Sequence, residues 1–330
     1  MRQAIKNYRV FLTLLVVFGH SMIIYSTNWT IYKTENTSQF FNILKTYINT
    51  IQMSGFVFIS GYLFYNTLNK SKYNKLQDIF IDKGNRLLIP YVITTIILVI
   101  PIRFLINYNN YRDIGILDIT RDFLLVEDSG NLWFLIMLFN LFIIFFVIRE
   151  YLDKNYLWFV SFIFYFCSIK MPNIFQIKET MNYFIFFYLG YVMNKNKYRI
   201  NLYSKRYLIL VVINLITWSI NIHINNYILN KSLVLICSLT GVVIFWGLFN
   251  FLKYENKFID LIEKYSLRIY LIHSPIMYIF YNYLYDKNIN PFIFVILVFS
   301  MILTISIFIS MIIDFLSKNL IKIDVKLKGE

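Results

Sequence analysis

Two arginine–histidine pairs stand in apolar stretches of this sequence, where ionisable side chains are costly. Arg9 and His20 have ten residues between them, so in a helix both side chains project from nearly one face, about 16 Å apart along the axis. Arg268 precedes His273 by one to two turns, and Arg86 begins another apolar stretch. If the amino terminus is cytoplasmic, the three arginines share one depth and the histidines lie deeper, with His20 near the middle of the bilayer. This arrangement predicts an anion site beneath a base.

Each of these residues also has a purely structural explanation. An arginine at the cytoplasmic end of a span commonly anchors the helix at the lipid headgroups. A buried histidine commonly forms hydrogen bonds that only stabilise packing. Pro90 and Pro275 are equally compatible with simple helix-entry or kink positions. The functional interpretation therefore depends on a coincidence: two of only three histidines lie in apolar stretches, and the third, His223, falls in a predicted outer loop.

The apolar content of the chain predicts an all-α, polytopic transmembrane helix bundle. Of its 330 residues, 58% are hydrophobic and 15% are charged, whereas a soluble domain carries about a quarter charged residues. One span needs about 20 apolar residues. Ten segments are predicted to span the membrane, at 8–27, 46–66, 86–106, 131–149, 156–169, 181–194, 207–222, 233–252, 266–284 and 292–316. They form a single domain, 1–330, without a soluble domain, and the short fifth and sixth segments could be tilted, broken or re-entrant.

The distribution of charge predicts that both termini are cytoplasmic. Of the 32 lysines and arginines, 23 fall on the side of the amino terminus, as the positive-inside rule requires. The longest loop, 107–130, falls on the other side and is acidic, with Asp113, Asp118, Asp122, Glu127 and Asp128. The net charge of +14 is thus a topology signal that also attracts anionic headgroups. Because the basic residues are spread over separate loops, nucleic acid is not an expected partner.

Six short motifs follow one another along the chain. The first is Arg9 and His20 with ten residues between them. The others are, in order, Gly55-Phe-Val-Phe-Ile-Ser-Gly-Tyr62, Arg86-Leu-Leu-Ile-Pro-Tyr91, Leu132-Trp-Phe-Leu135 with Leu138-Phe139, Tyr188-Leu-Gly-Tyr191 and Ser266-Leu-Arg-Ile-Tyr-Leu-Ile-His273. In these motifs and in their order, the chain resembles the acyltransferase-3 family of polytopic bacterial membrane proteins over nearly its whole length.

The resemblance implies an O-acyltransferase of the bacterial cytoplasmic membrane. Its donor would be cytoplasmic acyl-CoA, most commonly acetyl-CoA, and its acceptor a hydroxyl of a cell-envelope or secreted carbohydrate or of a glycolipid. Many members have a histidine or another polar residue before the Leu-Trp-Phe-Leu motif, where this chain has Asn131. Some members carry a fused SGNH-type hydrolase domain, whereas this chain stops at Glu330. It would therefore deliver the acyl group directly or through a separate extracytoplasmic partner.

The residue types fit this implied chemistry. Arg9, Arg86 and Arg268 would bind the CoA phosphates, because guanidinium groups bind phosphate in a bidentate manner; Arg9 would also contact the thioester. His20 would act as the base or as an acyl relay, and His273 as a second proton carrier. No tightly bound cofactor and no metal site are expected, because the sequence has no cluster with metal-ligand spacing.

Further residues are predicted to contribute at the two faces of the site. Ser60 would hydrogen-bond within the donor site, although a small residue also allows close helix packing. Asn131, Trp133, Glu127 and Asp128 would meet the acceptor at the outer face. A tryptophan beside polar residues can hold a sugar ring, yet at a membrane interface it is more commonly part of the aromatic belt.

Three other classes of protein share some of these features. A transporter or flippase of a lipid-linked glycan has a similar span count, often with an inverted repeat; none is visible here. A membrane-bound O-acyltransferase would place its histidine late in a longer chain. A structural scaffold would leave Arg9 and His20 without a purpose. The absence of a Gly-rich nucleotide loop and of a G-x-S-x-G turn argues against ATP-driven transport and soluble-type hydrolysis.

Overall fold

Helices form at all ten predicted spans. The computed structural model describes residues 2–26, 29, 31–32, 38–70, 72–127, 130–252 and 254–327, with side chains as far as residue 318. In these residues the chain is helical and contains no strand. The longer helices are α1 (Arg2–Ser21), α2 (Gln39–Asn69), α3 (Leu76–Leu105), α4 (Ile116–Leu125), α5 (Trp133–Val147), α6 (Tyr156–Cys167), α7 (Ile177–Lys195), α8 (Lys205–Asn221), α9 (Tyr227–Phe251), α10 (Lys257–Leu284) and α11 (Pro291–Leu327).

Four helical stretches in the described chain are long and apolar enough to cross a membrane by length and composition alone. They are α3, the stretch Ile116–Val147 that contains α4 and α5, α9, and the part Pro291–Lys318 of α11. The stretch Tyr156–Lys170, which contains α6, is apolar but shorter, whereas α1 buries polar side chains, among them Asn7 and Thr13. The number of crossings, expected to be about ten, stays a prediction.

Loops predicted to share one side of the membrane lie together. At one end of the bundle, Lys6 near the amino terminus forms an ion pair with Asp260. At the same end, Lys195, the last residue of α7, pairs with Asp153 before α6, with 2.5 Å between nitrogen and oxygen. Which end faces the cytoplasm stays a prediction.

The helix α3 is distorted twice along its length. Wider π-helical turns at Gly84–Leu88 and Thr95–Val99 each precede a proline, Pro90 and Pro101. A proline lacks an N–H and crowds the carbonyl of the turn before it, and a wider turn relieves this clash. Since α3 begins at Leu76 and not near residue 86, Arg86 lies well inside the helix.

Two helices end in the middle of the bundle. The α1 helix stops at Ser21, earlier than the predicted residue 27, and the hydroxyl of Tyr281 donates a hydrogen bond to the carbonyl of His20 (2.5 Å). The α5 helix starts just after Asn131, which contacts Tyr270 on α10. Because α10 continues from this level to Leu284, both ends face the interior. Irregular backbone at such depth is tolerated where it lines a cavity.

The helices α2 and α7 cross at two glycines. A Cβ atom added to Gly61 would lie 2.0 Å from the carbonyl oxygen of Phe187, and one added to Gly190 would lie 2.0 Å from that of Phe58. Backbones can approach this closely only where both helices lack a side chain. This contact accounts for Gly61 of the second motif and Gly190 of the fifth, and it packs α2 closely against α7.

Candidate functional site

The two histidines from α1 and α10 meet in the middle of the bundle. Nε2 of His273 lies 3.4 Å from Nδ1 of His20, and their ring centroids are 5.0 Å apart. Each histidine also bonds the preceding turn of its own helix: Nδ1 of His20 lies 2.9 Å from the carbonyl oxygen of Val16, and Nδ1 of His273 lies 2.7 Å from that of Tyr270. His273 is fully buried, and His20 is partly buried.

These contacts assign the tautomer of each imidazole. Carbonyl oxygens only accept, so Nδ1 of both His20 and His273 carries the hydrogen. Nε2 of His273 then presents a lone pair towards the Nδ1–H of His20. Nε2 of His20 keeps its own lone pair and has no hydrogen-bond partner among the described residues. A neutral imidazole held in this tautomer can act as a general base.

A polar cavity of about 320 Å³ opens at His20. Asn131 and Trp133 line it from the start of α5, and Tyr183 lines it from α7. The rings of Trp133 and Tyr183 lie 5.6 Å apart between centroids, so an aromatic wall stands beside the histidine. The volume falls in the range of small-molecule sites, about 300–1,000 Å³. We refer to it as the histidine cavity.

A second cavity of about 210 Å³ lies towards the amino-terminal end of α1. It contains Arg9 and Ser60 and is otherwise mostly apolar, with Phe56 and Leu138 in its wall. The guanidinium of Arg9 is 3.0 Å from a carboxylate oxygen of Glu263 on α10. We refer to it as the arginine cavity.

Tyr270 lines both cavities. Its hydroxyl donates to the backbone carbonyl of Asn131, and the side-chain amide of Asn131 donates to the backbone carbonyl of Tyr270 (3.0 Å). That same Tyr270 carbonyl accepts from His273. The start of α5 is therefore fastened to α10 at the junction of the two cavities, next to the histidine pair.

Comparison with known proteins identifies the family. Residues 2–311 match the acyltransferase-3 family model, which describes an acyltransferase domain. The chain belongs to the acyltransferase-3 family. No curated protein and no solved structure matched the chain in the same comparisons. The matched region contains both cavities and all of α1 to α10, so this acyltransferase with membrane helices has its candidate site inside the family domain.

Other predicted site residues of the acyltransferase lie apart from both cavities. Arg86 is two-thirds exposed, at 66%, and pairs with Asp82 (3.4 Å). Arg268 forms an ion pair with Asp314 on α11 and donates to the carbonyl of Ser310 (2.9 Å). Each of the three arginines pairs with a different carboxylate. Of these three, Arg9 lines the arginine cavity.

The acidic loop also lies apart from the histidine cavity. Glu127 is 3.8 Å from Arg121, at the end of α4, and does not line the histidine cavity. Asp128 lies outside the described residues. Of the outer residues predicted to meet the acceptor, the structure thus brings Asn131 and Trp133 to His20.

Sequence reasoning missed several residues of the histidine cavity. Lys45, Asn49 and Gln52 line it from α2, and Tyr183 from α7. A signal was present for the first three: their spacing of four and three residues places them on one face of a helix, just where the second apolar segment begins. Nothing local marks Tyr183, whose role depends on the packing of α7.

Proposed function

We propose that this acyltransferase moves an acetyl group from cytoplasmic acetyl-CoA to a hydroxyl of a cell-envelope or secreted carbohydrate, in the cytoplasmic membrane of a bacterium. The observation that carries the proposal is the junction at Tyr270, where an arginine-containing cavity meets a polar cavity containing an oriented histidine. Acyl transfer needs a donor site and an acceptor site that share one reacting centre.

The arginine cavity suits the donor. Its apolar wall fits the pantetheine arm of CoA, and Arg9 supplies positive charge where the thioester or a phosphate would lie. In the proposal, Arg86 and Arg268 bind CoA phosphates nearer the end of the bundle, after exchanging Asp82 and Asp314 for the cofactor. Ser60 also lines this cavity, and its hydroxyl donates to the carbonyl of Phe56 on the same helix (2.9 Å).

The histidine cavity suits the acceptor. A sugar ring would rest against Trp133 and Tyr183, as apolar ring faces of carbohydrates do on aromatic side chains. Nε2 of His20 takes the proton of the acceptor hydroxyl, while the oxygen of that hydroxyl attacks the carbonyl carbon of the thioester. The tetrahedral intermediate then expels the CoA sulfur, which takes the proton from His20 and leaves as the thiol, and the ester remains on the carbohydrate. In the proposal, His273 helps to orient the base as a second acceptor for the Nδ1–H of His20.

The test compares wild type with His20→Ala at matched membrane levels in a bacterial strain lacking the native gene. Base-labile O-acyl groups on envelope and secreted glycans are quantified by mass spectrometry. We expect acetyl esters with wild type and a loss of at least about 100-fold with His20→Ala, because general-base catalysis contributes about 10²–10⁴.

His223→Ala is the matched control, since this histidine is exposed and lies between α8 and α9. Equal acylation by all three proteins would remove His20 from the mechanism. Altered glycan export without any acylation would favour a flippase instead. Repeating the assay with purified protein in nanodiscs tells direct delivery from delivery through an extracytoplasmic partner, because only direct delivery survives purification.

A further inference from the structure

A buried lysine without a counter-charge lies in the wall of the histidine cavity. Lys45, in the second turn of α2, is only 5% exposed. Among the described residues, no hydrogen-bond or ion-pair partner reaches its ammonium group. Lys45 is also the one charged side chain that lines the cavity in the described part of the chain; the neighbouring titratable groups are the two histidines and two tyrosines.

An unsatisfied acceptor lies beside this lysine. The Oε1 atom of Gln52 is buried and has no hydrogen-bond partner, while its Nε2 donates to Asn49 (3.1 Å). A Cβ atom built on Gly19 would lie 3.3 Å from both the ammonium nitrogen of Lys45 and Oε1 of Gln52. Both groups therefore lie against the residue that precedes His20.

Burying an ammonium group without an anion is unfavourable, and burying an unpaired carbonyl adds to the cost. Unsatisfied buried groups are rare in native proteins and call for an explanation, and a bound ligand would supply one for both groups at once. A ligand that satisfies both must offer a negative charge to Lys45 and a hydrogen-bond donor to Gln52. A sugar with an acidic substituent and a neighbouring hydroxyl offers this combination.

We propose that Lys45 and Gln52 select an acidic acceptor. The ammonium of Lys45 binds a carboxylate or phosphate substituent of the carbohydrate, and Oε1 of Gln52 accepts from one of its hydroxyls. A second hydroxyl then lies at Nε2 of His20, with the ring against Trp133. The proposal rests on the acyltransferase function proposed above and narrows its substrate class to anionic glycans.

The experiment uses purified full-length protein in nanodiscs, radiolabelled acetyl-CoA and envelope carbohydrate extracted from the host strain. The carbohydrate is supplied intact, after reduction of its carboxylates with carbodiimide and borohydride, and after removal of phosphate with hydrofluoric acid. We expect wild type to lose at least tenfold in acetylation after one of these two treatments, and the sensitive treatment identifies the acidic group.

Three variants test the assignment to Lys45. Lys45→Met should acetylate intact carbohydrate about as slowly as wild type acetylates the treated carbohydrate. The treatment should not lower the rate of Lys45→Met any further. Lys45→Arg should keep most of the preference, because it keeps the charge. Gln52→Glu, which pairs Lys45 internally, should lose activity on intact carbohydrate more than on treated carbohydrate. Each variant is first checked for a wild-type elution profile in size-exclusion chromatography.

Two outcomes overturn this inference while the acyltransferase function stands. One is equal acetylation of intact and treated carbohydrate by wild type. The other is a loss in Lys45→Met that is equal on both substrates, which would place the ammonium at the reacting thioester instead. No acetylation of any carbohydrate by wild type, here and in cells, would remove the proposed function itself and this inference with it.

Discussion

At the scale of single residues, the catalytic proposal depends on which nitrogen of His20 carries its hydrogen. His273 supplies the lone pair that faces the Nδ1–H of His20 across 3.4 Å. We therefore expect His273→Leu to lower kcat about 10- to 100-fold, since the Nδ1–H of His20 then keeps only the carbonyl of Val16 as an acceptor and the imidazole is less firmly oriented. His273→Gln should retain more activity, because its side-chain oxygen can accept from the same hydrogen.

The kinetic pattern separates positioning from donor binding. The KM for acetyl-CoA should change little in both variants, because His273 does not line the arginine cavity; initial rates over a range of acetyl-CoA concentrations measure both constants. An equal loss of kcat in His273→Leu and His273→Gln would show that His273 contributes a proton or charge instead of a hydrogen-bond acceptor, and would contradict this acceptor role.

At this scale the sequence predicted the two histidines that meet in the bundle better than the residues that line the cavity around them. Spacing within one helix identified His20 on α1 and His273 on α10, and their chemistry required them to share an interior. Lys45 and Tyr183 were missed because their place in the cavity depends on how α2 and α7 pack, which periodicity does not encode. Arg268 pairs with Asp314 on α11, which is a packing contact of the same kind, whereas Arg86 pairs with Asp82 one turn earlier on its own helix.

At the scale of helices, the glycine contact between α2 and α7 is expected to hold in place the two helices that carry Lys45, Gln52 and Tyr183 in the histidine cavity. Gly61→Ala puts a methyl group 2.0 Å from a backbone oxygen, which only separation of the helices can relieve. We expect destabilisation of about 3 kcal/mol or more, at the upper end for overpacked positions. Thermal unfolding in detergent, followed by size-exclusion chromatography, should show a lower transition temperature and a loss of monodisperse protein.

Gly84→Ala is the matched control for this prediction. A Cβ atom at Gly84 would lie 3.9 Å from the nearest side chain, an ordinary contact, and its backbone is already helical. Its transition temperature should stay near that of wild type. If Gly61→Ala unfolds at the wild-type temperature as well, the two helices do not cross as closely as described.

Helix positions were predictable from apolar runs, but helix ends inside the bundle were not. The α1 helix ends at Ser21 because a hydroxyl of α10 satisfies the carbonyl of His20 and aromatic packing takes over from the helical repeat. The sequence beyond it, Met22-Ile-Ile-Tyr25, is as apolar as the helix itself. Tertiary contacts thus end the helix although the apolar run continues, and they do so next to the histidine cavity.

At the scale of the whole molecule, the proposed reaction requires donor and acceptor to arrive from opposite sides of the membrane. The arginine cavity lies nearer the end that carries the amino terminus, and most basic residues fall on that side. The positive-inside rule then makes this end cytoplasmic, where CoA is available. The proposed reaction therefore depends on the orientation of the bundle. If the arginine cavity faced the outside, transfer from cytoplasmic acyl-CoA would be refuted.

Cysteine labelling tests this orientation directly. In a variant with Cys167→Ser and Cys237→Ser, a single cysteine is introduced at exposed Lys197, after α7, or at exposed Lys287, after α10. A membrane-impermeant maleimide should label Lys287→Cys in intact spheroplasts and Lys197→Cys only after permeabilisation. The opposite pattern would place the arginine cavity outside the cell, away from acyl-CoA, and no arrangement of the histidine pair could then support transfer from a cytoplasmic thioester.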